Sequence, residues 1–147
     1  MNELPFRVHQ RVQELSVQGD AFAEQGNYDA AINKYNEAWL AIPDPKNDWE
    51  ASTWLLVAVG DACFLGGYFT SGSEAFRYAL SCPGGIGNPF VHLRLGQCEF
   101  ERKELDEAAE HLTRAYMLEG KEILSNDHPK YFEYLKTRIK PPASGEW

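Results

Sequence analysis

Between Leu15 and Pro43 the small and aromatic residues of this chain recur at spacings that suit two helices packed against each other. The stretch reads LSVQGDAFAEQGNYDAAINKYNEAWLAIP. Gly19 lets two helices approach closely, and Ala31 and Ala38 do the same from the second helix. Phe22, Tyr28 and Tyr35 fill the wedge between them, Gly26-Asn27 breaks the chain, and Pro43 cannot continue a helix. The pattern then returns twice. The second copy has Leu56, Gly60, Cys63, Gly67 and Phe69, followed by Gly72, Phe76 and Ala79. The third has Leu95, Gly96, Leu105, Ala108, Leu112, Ala115 and Gly120. Gly60 and Gly96 are 36 residues apart, whereas Gly19 and Gly60 are 41 apart, and the DPKNDWE segment absorbs the surplus.

This pattern closely resembles the tetratricopeptide repeat, whose signature is W-x2-L-G-x2-Y, then A-x3-F, then A and P. Leu15, Gly19, Phe22, Ala31, Tyr35, Ala38 and Pro43 match it, and Val12 stands where the family's Trp usually is. The resemblance implies an all-α array of three helix-turn-helix repeats at about 12–45, 53–86 and 89–122. A C-terminal capping helix at about 127–139 completes one domain over residues 1–140. The tail, 141–147, is expected to be flexible. The count is seven helices.

Local signals place the helix ends. Pro5 suits a first turn, and Pro43-Asp44-Pro45 stops the second helix. Asn47 with Glu50 predicts a capping pair for the third helix, Asn88-Pro89 opens the fifth, and Asp127 caps the last. Gly72, where Ala is usual, weakens its helix by up to about 1 kcal/mol. In the third repeat Glu99 stands where an aromatic is expected, and Phe100 beside it is expected to substitute by a small rotation.

Charge narrows the partners. Fourteen Lys and Arg against 22 Asp and Glu give a net charge of -8. That argues against nucleic acid, whose phosphates demand a basic face, and would suit a basic protein partner. No apolar segment opens the chain and its longest apolar run, Trp54 to Val59, is too short to span a bilayer, so no membrane role and a cytoplasmic location are expected. Cys63, Cys82 and Cys98 include no Cys-x-x-Cys, and Cys63 and Cys98 read as small core residues. His9, His92, His111 and His128 show no metal spacing, and His9 and His111, among charged neighbours, are expected at the surface. PGGIGNP lacks the Lys-Ser/Thr of a phosphate loop and reads as a turn between repeats. Asp20 and Asp61 are weighed as paired hydrolase carboxylates and set aside, because no second catalytic group lies near them in sequence. No cofactor and no metal are expected, and the chain reads as non-enzymatic.

The third helix is the most unusual segment. From Trp54 to Leu65 its only charged residue is Asp61. A helix apolar on all sides is buried all round or awaits something that buries it. The first helix of each pair lines the concave face of such a stack. Residues offset by one from the packing stripe point into that groove: Trp54, Val57, Asp61, Phe64 and Leu65 in the second repeat. Their equivalents are Gln13, Ser16, Asp20, Ala23 and Glu24 in the first, and Phe90, Leu93, Gln97, Phe100 and Glu101 in the third. From this set Asp20, Trp54, Val57, Asp61, Phe64, Phe90, Gln97, Phe100 and Glu101 are the candidate partner-binding residues. The competing expectation is that the C-terminal helix folds back and covers part of this surface.

Repeat domains that hold the C-terminal carboxylate of heat-shock chaperones present Lys, Asn and Arg to the groove. Here the matching places carry Ser16, Asp20, Ala58 and Phe90, with only Arg94 basic, so Asp20 would repel such a ligand. The stretch from NDWEASTWLLVAVGDACFLGGY through PGGIGNPFVHLRLGQ to DHPKYFEYLKTRI is similar to small bacterial tetratricopeptide proteins encoded beside polymorphic toxins. That resemblance implies an immunity protein that binds its cognate toxin as a monomer or weak homodimer. A secretion chaperone for an effector and a structural adaptor are the alternatives.

Overall fold

The computed structural model describes residues 3–147. The helices are α1 (Phe6–Glu24), α2 (Tyr28–Ala41), α3 (Glu50–Leu65), α4 (Phe69–Leu80), α5 (Pro89–Glu101), α6 (Leu105–Glu119), α7 (Lys121–Ser125) and α8 (Pro129–Lys136), with a 3-10 turn at Lys46–Asp48. No strand occurs among the described residues. None of their helices is long and apolar enough to cross a membrane. The helix count exceeds the sequence expectation by one. Gly120, at φ 80, ends α6, and the single turn of α7 follows it directly. A helix of five residues is too short to carry a periodic signal.

Three hairpins, α1–α2, α3–α4 and α5–α6, stack in chain order, and each is closed by one glycine. A Cβ on Gly19 would stand 2.5 Å from the Tyr35 ring, one on Gly60 2.6 Å from the Phe76 ring, and one on Gly96 2.8 Å from Leu112. The repeating glycine is therefore the socket into which the second helix of each pair sets its largest side chain. Gly72 has the same logic. Its missing Cβ leaves room for the Cys98 sulfur, which would otherwise lie 2.9 Å away, so the propensity lost within α4 is exchanged for close packing on α5. Cys63, Cys82 and Cys98 are all buried, and burial pushes the Cys98 thiol up to about 12.

The helix starts divide into those that follow the sequence signal and those that do not. Asn27 and Asn88 accept backbone N–H bonds from Ala30 and Phe90, and Pro89 begins α5. Asn47 does not cap α3. It lies in the 3-10 turn, and Trp49 precedes the helix without a side-chain cap. The loop is stitched by other groups: Lys46 donates to the carbonyls of Trp39 and Ile42, the Trp49 indole to Pro43, and Ser52 to Lys46. Lys46 thereby caps the end of α2, adding a second donor to the Trp39 carbonyl, which also accepts the Ile42 N–H, and serving the carbonyl of Ile42. At α8 the cap is His128, whose Nδ1 accepts from the Lys130 N–H at 3.1 Å. Asp127 binds the His128 N–H with one oxygen, and its other oxygen is used elsewhere.

His111 is buried, not at the surface as its charged neighbours suggested. Its ring stacks on His92 at 5.3 Å, with the two Nδ1 atoms 3.1 Å apart, and His92 Nε2 lies 2.7 Å from the Ile86 carbonyl. A carbonyl only accepts, so His92 carries its proton on Nε2, and His111 Nδ1–H donates to His92 Nδ1. Burial, then the neighbouring His92, lowers the His111 pKa from 6.5 to about 4. The unfolded chain therefore binds a proton that the folded chain refuses between those values. Stability should be complete above pH 6.5 and fall by about 1–3 kcal/mol on acidification to pH 4. Thermal melts from pH 7 to 4.5 check this, and His111→Gln should flatten the slope.

Candidate functional site

Glu50, Trp54, Val57 and Asp61 follow one another along α3 at helical spacing, so they share one face of that helix. Trp54 stands 41% exposed on this face. One cleft beside it lies between α1 and α3 and is lined by Glu3, Leu4, Phe6, His9, Glu50 and Ala51. A second, toward α5, is lined by Glu50, Thr53, Val57, Pro83, Gly84 and Asn88. The Trp54 ring borders both. The apolar character of α3 therefore has two causes. Leu55, Leu56, Ala62 and Cys63 are buried between the hairpins, whereas Trp54 is exposed and Val57 beside it is half-buried.

Further along the groove the surface closes. Arg94 Nε donates to Asp61 at 2.8 Å, and its Nη1 donates to Asp127 and to the Gln97 side-chain carbonyl, each at 2.8 Å. The guanidinium lies 4.5 Å from the Phe64 ring centre and 5.1 Å from that of Phe90. Gln97 is fully buried and donates to Asp127 at 3.0 Å. From α8, Tyr131 packs on Phe64 and Phe100, and its hydroxyl donates to Glu101 at 2.6 Å. Lys130 pairs with the same carboxylate at 2.7 Å. Burial would raise the Glu101 pKa, but the bonds from Lys130 and Tyr131 outweigh it and hold the group below the ordinary carboxylate range. Burial and the bond to Glu101 push the Tyr131 phenol up.

The candidate residues thus fall into two groups. Trp54 and Val57 remain open. Asp61, Phe64, Phe90, Gln97, Phe100 and Glu101 are engaged with Arg94 or with the C-terminal helix. Asp20 stands apart on α1, accepting the Tyr35 hydroxyl at 2.5 Å. The expectation that Asp61 awaits an external cation meets Arg94, which already supplies one. Asp61→Asn should consequently lower stability by about 1 kcal/mol, the upper end for a partly exposed ion pair, since the arginine keeps Asp127. A melt of the variant beside a partner-affinity measurement checks this. The affinity should stay within about twofold.

Glu99 was not legible as a site of charge. It is 1% exposed in the packing position that the repeat gives to an aromatic. Arg77 and Arg102 both donate to it, Arg102 at 2.7 Å, and Arg77 also reaches Glu107. Burial raises the Glu99 pKa, but the hydrogen bonds from Arg102, Arg77 and Ser73 win and lower it. Phe100 does not rotate into that place. It faces Tyr131 and Tyr134 of α8 instead. Among the described residues no group of three or more His, Cys, Asp or Glu is placed to hold a metal.

Residues 15–48 match the tetratricopeptide repeat family. The whole stack matches solved domains of that fold. The Arabidopsis OM64 TPR domain superposes with a TM-score of 0.72 at 17% identity, covering 90% of this chain and 99% of that one. The first TPR of Spaghetti (RPAP3), bound to the HSP90 peptide SRMEEVD, gives 0.67 at 23% identity over 87% and 90%. This is a tetratricopeptide-repeat fold. A third similar structure is the second TPR domain of human RPAP3 in complex with the HSP70 peptide SGPTIEEVD, at 0.68 and 18% identity over 90% and 99%. No curated protein matches the sequence. Within the tetratricopeptide-repeat array, the matched residues 15–48 span α1 from Leu15, α2 and the 3-10 turn. The second and third repeats depart from the family pattern where the chain has its own features: Gly72 beneath Cys98, Glu99 between two arginines, and α8 over the groove.

Proposed function

We propose that this chain is a non-enzymatic protein-binding module that uses the open half of its concave surface, and specifically an immunity protein that caps a basic toxin domain. The carrying observation is the asymmetry of the groove. Around α5 the chain fills the concave side with its own helix, whereas around α1 and α3 it leaves an aromatic ring and acidic side chains exposed. Exposed aromatics at the centre of a concave patch are what protein interfaces use as anchors. The net charge of -8 favours a basic partner and fast encounter with it.

Closure of the C-terminal half shortens the track available to an extended peptide, which favours a compact partner. The acidic peptides carried by the similar RPAP3 structures are disfavoured here. Asp20 and Asp61 are among the residues assigned to the concave side, and the basic groups near them are already engaged, Arg94 with Asp61 and Asp127 and Lys130 with Glu101. A secretion-chaperone role is the second reading, supported by the peptide-bound state of those similar structures.

The test is co-expression with the product of the gene next to this chain in its native host, which the immunity reading predicts to carry a toxin domain. Growth rescue and a stable complex that is lost in Trp54→Ala support the immunity reading. Recovery of an unfolded effector segment instead supports the chaperone. Absence of any protein partner contradicts both.

A further inference from the structure

The open end of the groove carries a specific chemistry. Glu50 lies one helical turn before Trp54 on the same face, and Glu3 reaches the same cleft from the segment preceding α1. The ion pairs of the concave side lie further along, at Asp61, Asp127 and Glu101. Glu3 and Glu50 are left without a counter-ion among the described residues. Arg7, Arg11 and Lys46, the Arg and Lys residues nearest to them in sequence, line neither cleft beside Trp54, and His9 borders the first without an ion pair to either glutamate. An exposed indole thus borders a cleft with two carboxylates that form no ion pair among the described residues, while Leu4, Phe6 and Ala51 supply apolar wall.

We infer that this end of the groove is a subsite for an arginine or lysine side chain of the protein partner, stacked on Trp54 and held by Glu50 and Glu3. The inference rests on the protein-binding reading above and adds the chemistry of the residue that is recognised. The indole face attracts a cation, and the two carboxylates supply acceptors for its N–H groups. The aliphatic stem of the same side chain covers Leu4 and Phe6, which a compact inorganic cation could not do. The protein shows the arrangement once already within itself: Arg94 lies over Phe64 and Phe90 while binding Asp61 and Asp127. At Trp54 the aromatic ring and the carboxylates are present, and the cation is the part that a partner brings.

The four tryptophans, Trp39, Trp49, Trp54 and Trp147, make the site observable through their indole N–H resonances. The probe is acetyl-Gly-Arg-Leu-Arg-Gly-amide, compared with its citrulline analogue and with the acidic peptide SRMEEVD. The arginine peptide should move the Trp54 resonance and leave Trp49 and Trp147 in place. The citrulline analogue should bind about tenfold more weakly, as should the arginine peptide to the Glu3→Gln, Glu50→Gln double variant. Trp54→Leu should abolish binding, with the other three resonances confirming that the variant is folded.

Equal binding of the citrulline analogue, equal binding of SRMEEVD, or a response confined to Trp39 or Trp147 overturns the inference. The native partner separates the two levels of the argument. A complex that survives Trp54→Leu and the double glutamine variant sinks the subsite and leaves protein binding intact. A complex lost in both supports the subsite.

Discussion

Replacing Arg77 and Arg102 together with methionine should destabilise the protein by about 3–5 kcal/mol, the cost of leaving a buried carboxylate unpaired. The side chain of Glu99 is 2% exposed, whereas those of Arg77 and Arg102 are 41% and 32% exposed. The burden is therefore one-sided. Without the arginines Glu99 has no route to water, but without Glu99 the arginines still reach it. Glu99→Met alone should cost much less than the double arginine variant, and added to that variant it should restore most of the loss. The pH dependence gives an independent sign. In the wild type Glu99 is held below its ordinary pKa, so its contribution is present above that value and is lost as pH falls through the folded pKa. In the arginine-less variant its folded pKa rises above the unfolded value. That variant should then gain stability relative to wild type on acidification toward pH 4. Chemical denaturation at two pH values reads both effects.

Gly60→Leu should cost about 3 kcal/mol or more, and Gly60→Ala a smaller part of that. Even the first carbon of a side chain at Gly60 would lie 2.6 Å from two atoms of the Phe76 ring, and Phe76 is fully buried, so the ring has nowhere to withdraw. Gly19 against Tyr35 and Gly96 against Leu112 should behave alike. The matched control is Gly87→Ala, where nothing lies within 4 Å of the added carbon and the melting temperature should hardly change. Thermal melts of variants at these four glycines test whether the repeated glycine is a packing socket or a turn residue.

These glycines were legible in the sequence because a close helix crossing demands a missing side chain, and the demand recurs with the repeat. The same periodicity identified the all-helical stack. What it could not resolve were the places where one side chain answers to a distant one. Glu99 reads as a break in an apolar pattern until Arg77, on the preceding helix, is brought to it. Asp61 reads as a lone charge until Arg94 reaches it from α5. His111 sits among charged neighbours along the chain, and only its stacking on His92 removes it from solvent. The closed half of the groove depended on where α8 came to rest, which no local signal specifies. Trp54 and Val57 could be grouped from the sequence because they lie on one helix, whereas Glu50 was read there only as part of a cap.

The central claim is that the α1–α3 end of the concave surface receives a protein partner. The most direct measurement is amide hydrogen exchange of the chain alone and in complex with its native partner. Protection is predicted along the exposed stripe of α3 from Glu50 to Val57 and across the facing turn of α1 around Phe6 and His9. Protection confined to the opposite side, around Leu40, Tyr78 and Met117, with α3 unchanged, would contradict it.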